Sequence, residues 1–204
     1  MDPQTHWEAI FRSKTADQMS WHQTQPAVSL AMIQRSGLPK AGRIIDVGSG
    51  TSVLIKTLLA ENYQHVTILD ISETALTVAR QQLAEQASMV EWVCGDVRTV
   101  ALPIHAFDVW HDRAVFHFFT ADEDRAAYIR TLRNTLVAGG QLIIAMFADD
   151  GPEACSGLPV MRYSPELLTE TLGAGFELLE STRQVHLTPW NSEQRFIHCR
   201  YQLV

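Results

Sequence analysis

The sequence is short of cysteine, of basic clusters and of long apolar runs. Its three cysteines, Cys94, Cys155 and Cys199, are odd in number, and none stands in a Cys-x-x-Cys pair. A disulfide framework therefore fits poorly, and reduced thiols in a cytoplasmic protein fit better. No grouping of His, Cys and carboxylates has zinc-like spacing, so no metal is expected. Lysine and arginine number 16 against 23 aspartates and glutamates, a net charge of −7, and no Lys/Arg run occurs. Electrostatic capture of a nucleic-acid backbone is not expected of such a chain. No apolar stretch approaches the ~20 residues of a membrane span, and the N-terminus carries no apolar signal region. No membrane partner is expected. Internal repeats, low-complexity tracts and long linkers are absent as well.

What is present is apolar substance: 46% of the 204 residues are hydrophobic. That suits one globular domain with a real core, as a monomer or weak homodimer. Its organising stretch is Arg43 to Ser52. Ile44, Ile45 and Val47 suit a buried parallel strand, and Gly48 and Gly50 suit a sharp turn that leaves room for a ligand against bare peptide. Thr51 and Ser52 then open a helix with Val53, Leu54, Leu58 and Leu59 as its apolar positions. Free N–H groups at such a helix start can hold a carboxylate or phosphate. A dinucleotide fingerprint requires Gly or Ala where Val53 stands, so an NAD oxidoreductase is disfavoured.

Residues 1–40 read as a helical arm preceding an α/β core over 41–204. Trp7, Ile10 and Phe11 share a helical face, Trp21 follows a polar stretch, and Pro26 opens a helix that ends at Gly37-Leu38-Pro39. Strands are expected at Val66–Asp70, Val90–Cys94, Phe107–Asp112 and Gln141–Phe147. Ser72 caps a helix reaching about Glu85. Thr120-x-x-Glu123 reads as a capping box for a helix ending near Val137, with Gly139-Gly140 beyond it. Asp149 to Tyr163 reads as a long loop. Ser164-Pro165-Glu166 starts a helix closed by Gly173. Short strands Phe176–Leu179 and Phe196–Tyr201 close the chain around a turn containing Trp190. Such alternation means a parallel sheet covered on both faces.

The ordered set Asp46-Val47-Gly48-Ser49-Gly50-Thr51, Asp70-Ile71-Ser72, Gly95-Asp96-Val97, Phe107-Asp108-Val109 and Gly139-Gly140-Gln141 resembles the motif series of class I S-adenosylmethionine (SAM) methyltransferases. The resemblance implies a Rossmann-like, seven-stranded, mostly parallel sheet with helices on both faces and an antiparallel last strand. It implies SAM as cofactor, with S-adenosylhomocysteine (SAH) as product. It places the cofactor against Asp46, Gly48, Ser49, Gly50, Ile71, Gly95, Val97 and Asp112. Asp46 would meet the methionine ammonium, Asp70 the ribose hydroxyls and Asp96 the adenine amino group. Asp108, at a strand start, reads as structural. Trp7, Phe11 and Trp21 resemble the aromatic arm of small methyltransferases related to the elongation-factor lysine methyltransferases. There such rings lie over the cofactor, and a ring face attracts a sulfonium cation.

The acceptor is expected beyond the fourth strand, beyond the fifth, and against His186 to Trp190 between the last two strands. His117, His111 and His186 are the general-base candidates, with His117 favoured. Cys155, Arg162 and Phe116 are candidate acceptor contacts. The segment His111-Asp112-Arg113-Ala114 lacks the Asn/Asp-Pro-Pro-aromatic pattern of amide and DNA-amino methyltransferases. Transfer to O, S or N of a compact small molecule is the leading expectation. Protein lysine methylation and a SAM-binding regulator or inactive homologue stay open beside it.

Overall fold

A computed structural model describes residues 2–204. An arm made of α1 (Pro3–Ser13) and α2 (Ala27–Arg35) leads into β1 (Arg43–Val47). The chain then alternates through α3 (Leu54–Ala60), β2 (His65–Asp70), α4 (Glu73–Leu83), β3 (Val90–Cys94), β4 (Phe107–Arg113), α5 (Asp122–Thr135) and β5 (Leu136–Phe147). A small hairpin of β6 (Ala154–Cys155) and β7 (Leu158–Pro159) precedes α6 (Pro165–Leu172), β8 (Phe176–Leu187) and β9 (Glu193–Leu203).

Seven strands form one sheet in the order β3-β2-β1-β4-β5-β9-β8. The β1 to β5 pairings are parallel, and β9 runs antiparallel to both of its neighbours. The strand alternation sorts the core into two layers. Ile44, Val66, Ile68, Val109 and Ile143 face α2, α3 and α4, whereas Ile45, Val47, Trp110, Leu142 and Ile144 face α5 and α6. Both faces are covered, which is why the central strands read as continuous apolar runs. No helix among the described residues is long and apolar enough to cross a membrane.

Several boundaries differ from the sequence expectation. The first core helix begins at Leu54 behind Val53 rather than at Thr51, because Gly48, Ser49 and Gly50 extend into a wider turn. Thr120 and Glu123 make no capping box. The residue before α5 is Ala121, without a side-chain cap, and Arg125 holds the Phe119 and Thr120 carbonyls (3.0 and 2.7 Å) so that the helix starts later. Gly139 and Gly140 lie within β5, where the register breaks between Leu136 and Gln141, rather than past a helix end. The loop from Asp149 to Tyr163 folds its middle into the β6–β7 hairpin. The closing pair is far longer than its apolar cores: β8 and β9 pair from Phe176↔Leu203 to Leu187↔Glu193, with one register shift between Leu178 and Glu180.

Candidate active site

The parallel strands end on one edge of the sheet, and a cavity of about 330 Å³ opens there. This is where open α/β sheets hold ligands. The turn after β1 forms its floor. Gly48 and Gly50 have φ of +63° and +53°. A Cβ on Gly48 would sit 2.0 Å from Val115 Cγ2, and one on Gly50 would sit 3.0 Å from Phe11. Only glycine fits both the backbone and the space.

Three carboxylates define one half of the cavity. Asp70, ending β2, is buried, and its two oxygens accept from Ser72 N–H (2.9 Å) and Gly50 N–H (2.8 Å). Burial raises its pKa to about 6 against those hydrogen bonds, with Asp46 and Glu8 adding repulsion. Asp46, ending β1, is directly opposite His111 in the β1–β4 register. His111 Nδ1 donates to Asp46 Oδ1 (2.6 Å), and its Nε2 is 2.9 Å from the Ser29 hydroxyl. A carboxylate only accepts, so Nδ1 carries the proton, and in the neutral ring Nε2 accepts from Ser29. Asp46 Oδ2 is left buried without a partner on the cavity wall, as is Ser49 Oγ. Asp96, following β3, is gripped by Arg98, whose other arm reaches Asp124 (2.5 Å). That guanidinium, outweighing partial burial, holds the Asp96 pKa below the usual carboxylate range. Ser49, Ile71, Gly95 and Val97 also line the cavity. Gly50 sits behind the wall, under Phe11.

The arm covers the cavity. Trp7 lies 6.4 Å from Phe11 and 6.0 Å from Trp21, ring centre to ring centre, and 5.1 Å from Phe118. Glu8 pins α1 to the start of α4 by accepting from the Ser72 hydroxyl (3.1 Å), Thr74 N–H (3.2 Å) and the Thr74 hydroxyl. At the arm's other end, the Ser20 carbonyl is 2.7 Å from His186 Nε2, and the Trp21 carbonyl accepts from Arg113 Nη1 (3.0 Å).

Other expected site residues lie elsewhere. Asp112, expected against the cofactor, is instead fully buried and does not line the cavity; it accepts from Val115 N–H, Phe116 N–H and the Tyr128 hydroxyl and so fixes the turn after β4. Burial raises its pKa to about 6. His117 is completely buried against Phe118 and Phe147, off the cavity, and burial drives its pKa down to about 3. It is not placed to act as a base. His186 ties the arm to the closing hairpin instead of facing the cavity. His111 does line the cavity, yet both ring nitrogens are committed. Arg162 pairs with Glu153 (3.1 Å), and Phe116 packs on Tyr128 and Tyr163, so neither lines the cavity. Cys155 does line it, and burial keeps its thiol protonated by raising its pKa.

Ser29 is among the cavity residues that escaped the sequence reading, and Arg113 lay in the segment after strand four expected to face the acceptor without being singled out. The signal for Arg113 was the strand period, since it follows His111 by two and shares its face. Among the described residues, no cluster of three or more His, Cys, Asp or Glu could hold a metal ion.

Residues 44–140 match a family model described as a methyltransferase domain. A zebrafish (Danio rerio) protein, eEF1A lysine and N-terminal methyltransferase, is 24% identical over 148 residues, which cover 71% of this chain and 21% of that protein. The chain therefore matches only about a fifth of that relative's length. A structure solved for the conversion of a disulfide bond into a thioacetal group in echinomycin biosynthesis superposes with a TM-score of 0.80 at 20% identity, covering 98% of this chain and 92% of the other. A Burkholderia thailandensis 1,6-didemethyltoxoflavin-N1-methyltransferase, solved with its substrate and SAH, superposes with a TM-score of 0.70 at 19% identity, covering 96% and 81%.

Proposed function

We propose that the chain is a class I SAM-dependent methyltransferase that methylates O, S or N of a compact small-molecule acceptor. The observation that carries this reading is the division of the cavity. Its carboxylates Asp46, Asp70 and Asp96 stand at or near the ends of β1, β2 and β3, with Asp124 of α5 joined to Asp96 through Arg98. The remainder, toward β4 and β5, is lined by Trp21, Phe118, Cys155 and Leu158, with one cation, Arg113. An apolar recess holding a cation suits a small acceptor better than a lysine ammonium, which Arg113 would repel.

The chain's residues fit the cofactor chemically. Asp46 Oδ2 is a buried acceptor lacking a donor, as a methionine ammonium requires. Asp70 keeps lone pairs free on both oxygens for ribose hydroxyls. Asp96 and Val97 would meet the adenine, with Asp96 shared with Arg98. When bound, SAM supplies a methyl group on a positively charged sulfur, an excellent leaving group. The protein's part is then to orient, exclude water and keep the acceptor in line. Ser29 and Asp46 fix the His111 ring, which in turn steadies Asp46. The Trp7, Phe11 and Trp21 rings present π-faces and exclude water.

The second reading, protein lysine methylation, is favoured by the resemblance to the zebrafish protein. Labelled SAM, offered with thiols, phenols, amines and a cell lysate, separates the two. Label in a metabolite fraction supports the small-molecule reading; label in a protein band overturns it. SAH binding without transfer to anything would mark a cofactor-binding regulator.

A further inference from the structure

Arg113 ends β4 and lines the cavity, but among the described residues no carboxylate forms an ion pair with it: its one hydrogen bond runs from Nη1 to the Trp21 carbonyl (3.0 Å). Its Nε and Nη2 are buried with no partner. Those two nitrogens make up one fork of the guanidinium, the edge that donates two parallel hydrogen bonds to a carboxylate. The guanidinium carbon sits 4.9 Å from the centre of the Phe196 ring, which helps to fix its position. Burial draws its pKa down to about 10, opposed by the charge of Asp46, so the group stays charged at neutral pH. A buried cation with two empty donors is costly, and an anion arriving with a ligand removes that cost.

The fork's position tells which ligand brings the anion. Asp70 ends β2 and Asp96 follows β3, on one side of β1. Arg113 ends β4, on the other side, and reaches the arm at Trp21 and β9 at Phe196, near Cys155. It therefore serves the half of the cavity that the reading above, on which this step rests, gives to the acceptor.

We propose that the acceptor carries a carboxylate, received by the Nε–Nη2 fork of Arg113, with its apolar body against Trp21 and Phe118. The carboxylate is a handle and not the nucleophile, because a fork-bound carboxylate has its charge neutralised. The methyl-accepting O, S or N is a second group on the same molecule.

The test uses SAH-loaded protein and matched probes: phenylacetate and 3-phenylpropionate against their neutral primary amides, by calorimetry. Wild type should bind the carboxylates at least tenfold more tightly than the amides. Arg113→Gln should abolish that preference while SAH affinity stays within twofold, and Arg113→Lys, which keeps the charge but not the fork, should retain part of it. Equal binding of carboxylates and amides by wild type, or no binding of either, overturns the proposal without any variant needing to fold. So does a tenfold loss of SAH affinity in a folded Arg113→Gln with the probes unaffected, which would assign the fork to the cofactor's own carboxylate. The labelled-SAM assay keeps the two readings apart: label in metabolites with no carboxylate preference sinks only this proposal, whereas label in protein sinks the small-molecule reading itself.

Discussion

Lowering pH should weaken cofactor binding through Asp70. In the unliganded protein its carboxyl titrates near 6 rather than at 3.8, because burial outweighs the Ser72 and Gly50 N–H donors. A raised acid favours the protonated folded form. The unliganded protein therefore holds its Asp70 contribution to stability below pH 3.8 and loses it as pH rises through about 6, a total of about 3 kcal/mol. Ribose hydroxyls donate to the ionised carboxylate, so binding should lower its pKa. Linkage then makes the SAH dissociation constant larger at pH 5 than at pH 7, by up to about tenfold. Binding should release up to about 0.9 proton at pH 5 and about 0.1 at pH 7. Calorimetry in buffers of different ionisation enthalpy measures both quantities. Asp70→Asn should bind about 1–3 kcal/mol more weakly at pH 7 and show a flat profile between pH 5 and 7. A pH-independent wild type, or an Asp70→Asn variant that keeps the full slope, would refute the assignment.

Three further outcomes are expected. Gly48→Ala should destabilise the protein by about 1–3 kcal/mol, because φ is positive and the new methyl meets Val115; denaturant melts of Gly48→Ala and Gly48→Ala/Val115→Ala should show partial rescue. If the arm is a lid, hydrogen exchange across residues 2–26 should slow with SAH, and equal protection in both states would make the arm plain scaffold. His117→Gln should alter stability but not the midpoint of any pH–rate profile between pH 5 and 8; a displaced midpoint would restore His117 as the base.

That Asp46, Asp70 and Asp96 line one cavity was legible because parallel strands end at one edge, so acids at or near the ends of three of them share it. The side of the cavity toward β4 was not legible in the same way. Ending β4 at Asp112 hid that His111 and Arg113 alternate with it, which sends Asp112 to Tyr128 and Arg113 to the cavity. His117 was favoured for its type, yet the one-turn helix at Phe116–Phe118 rolls it into the core. The closing hairpin was underestimated because β8 is an edge strand. Its Ser181, Thr182 and Arg183 are mostly exposed, and pairing with β9 rather than apolar alternation keeps them extended.

The arm's aromatic cluster also gives the molecule an optical signature. Trp7 and Trp21 lie 6.0 Å apart at 76°, close enough that their strong far-ultraviolet indole transitions should couple and give a paired dichroism signal. Trp110 is sealed in the core at 0% exposure and supplies a constant emission background. Any separation of α1 from the Trp21 segment breaks the coupled pair while Trp110 stays unchanged, so the position of the arm can be followed in the native chain, without a label.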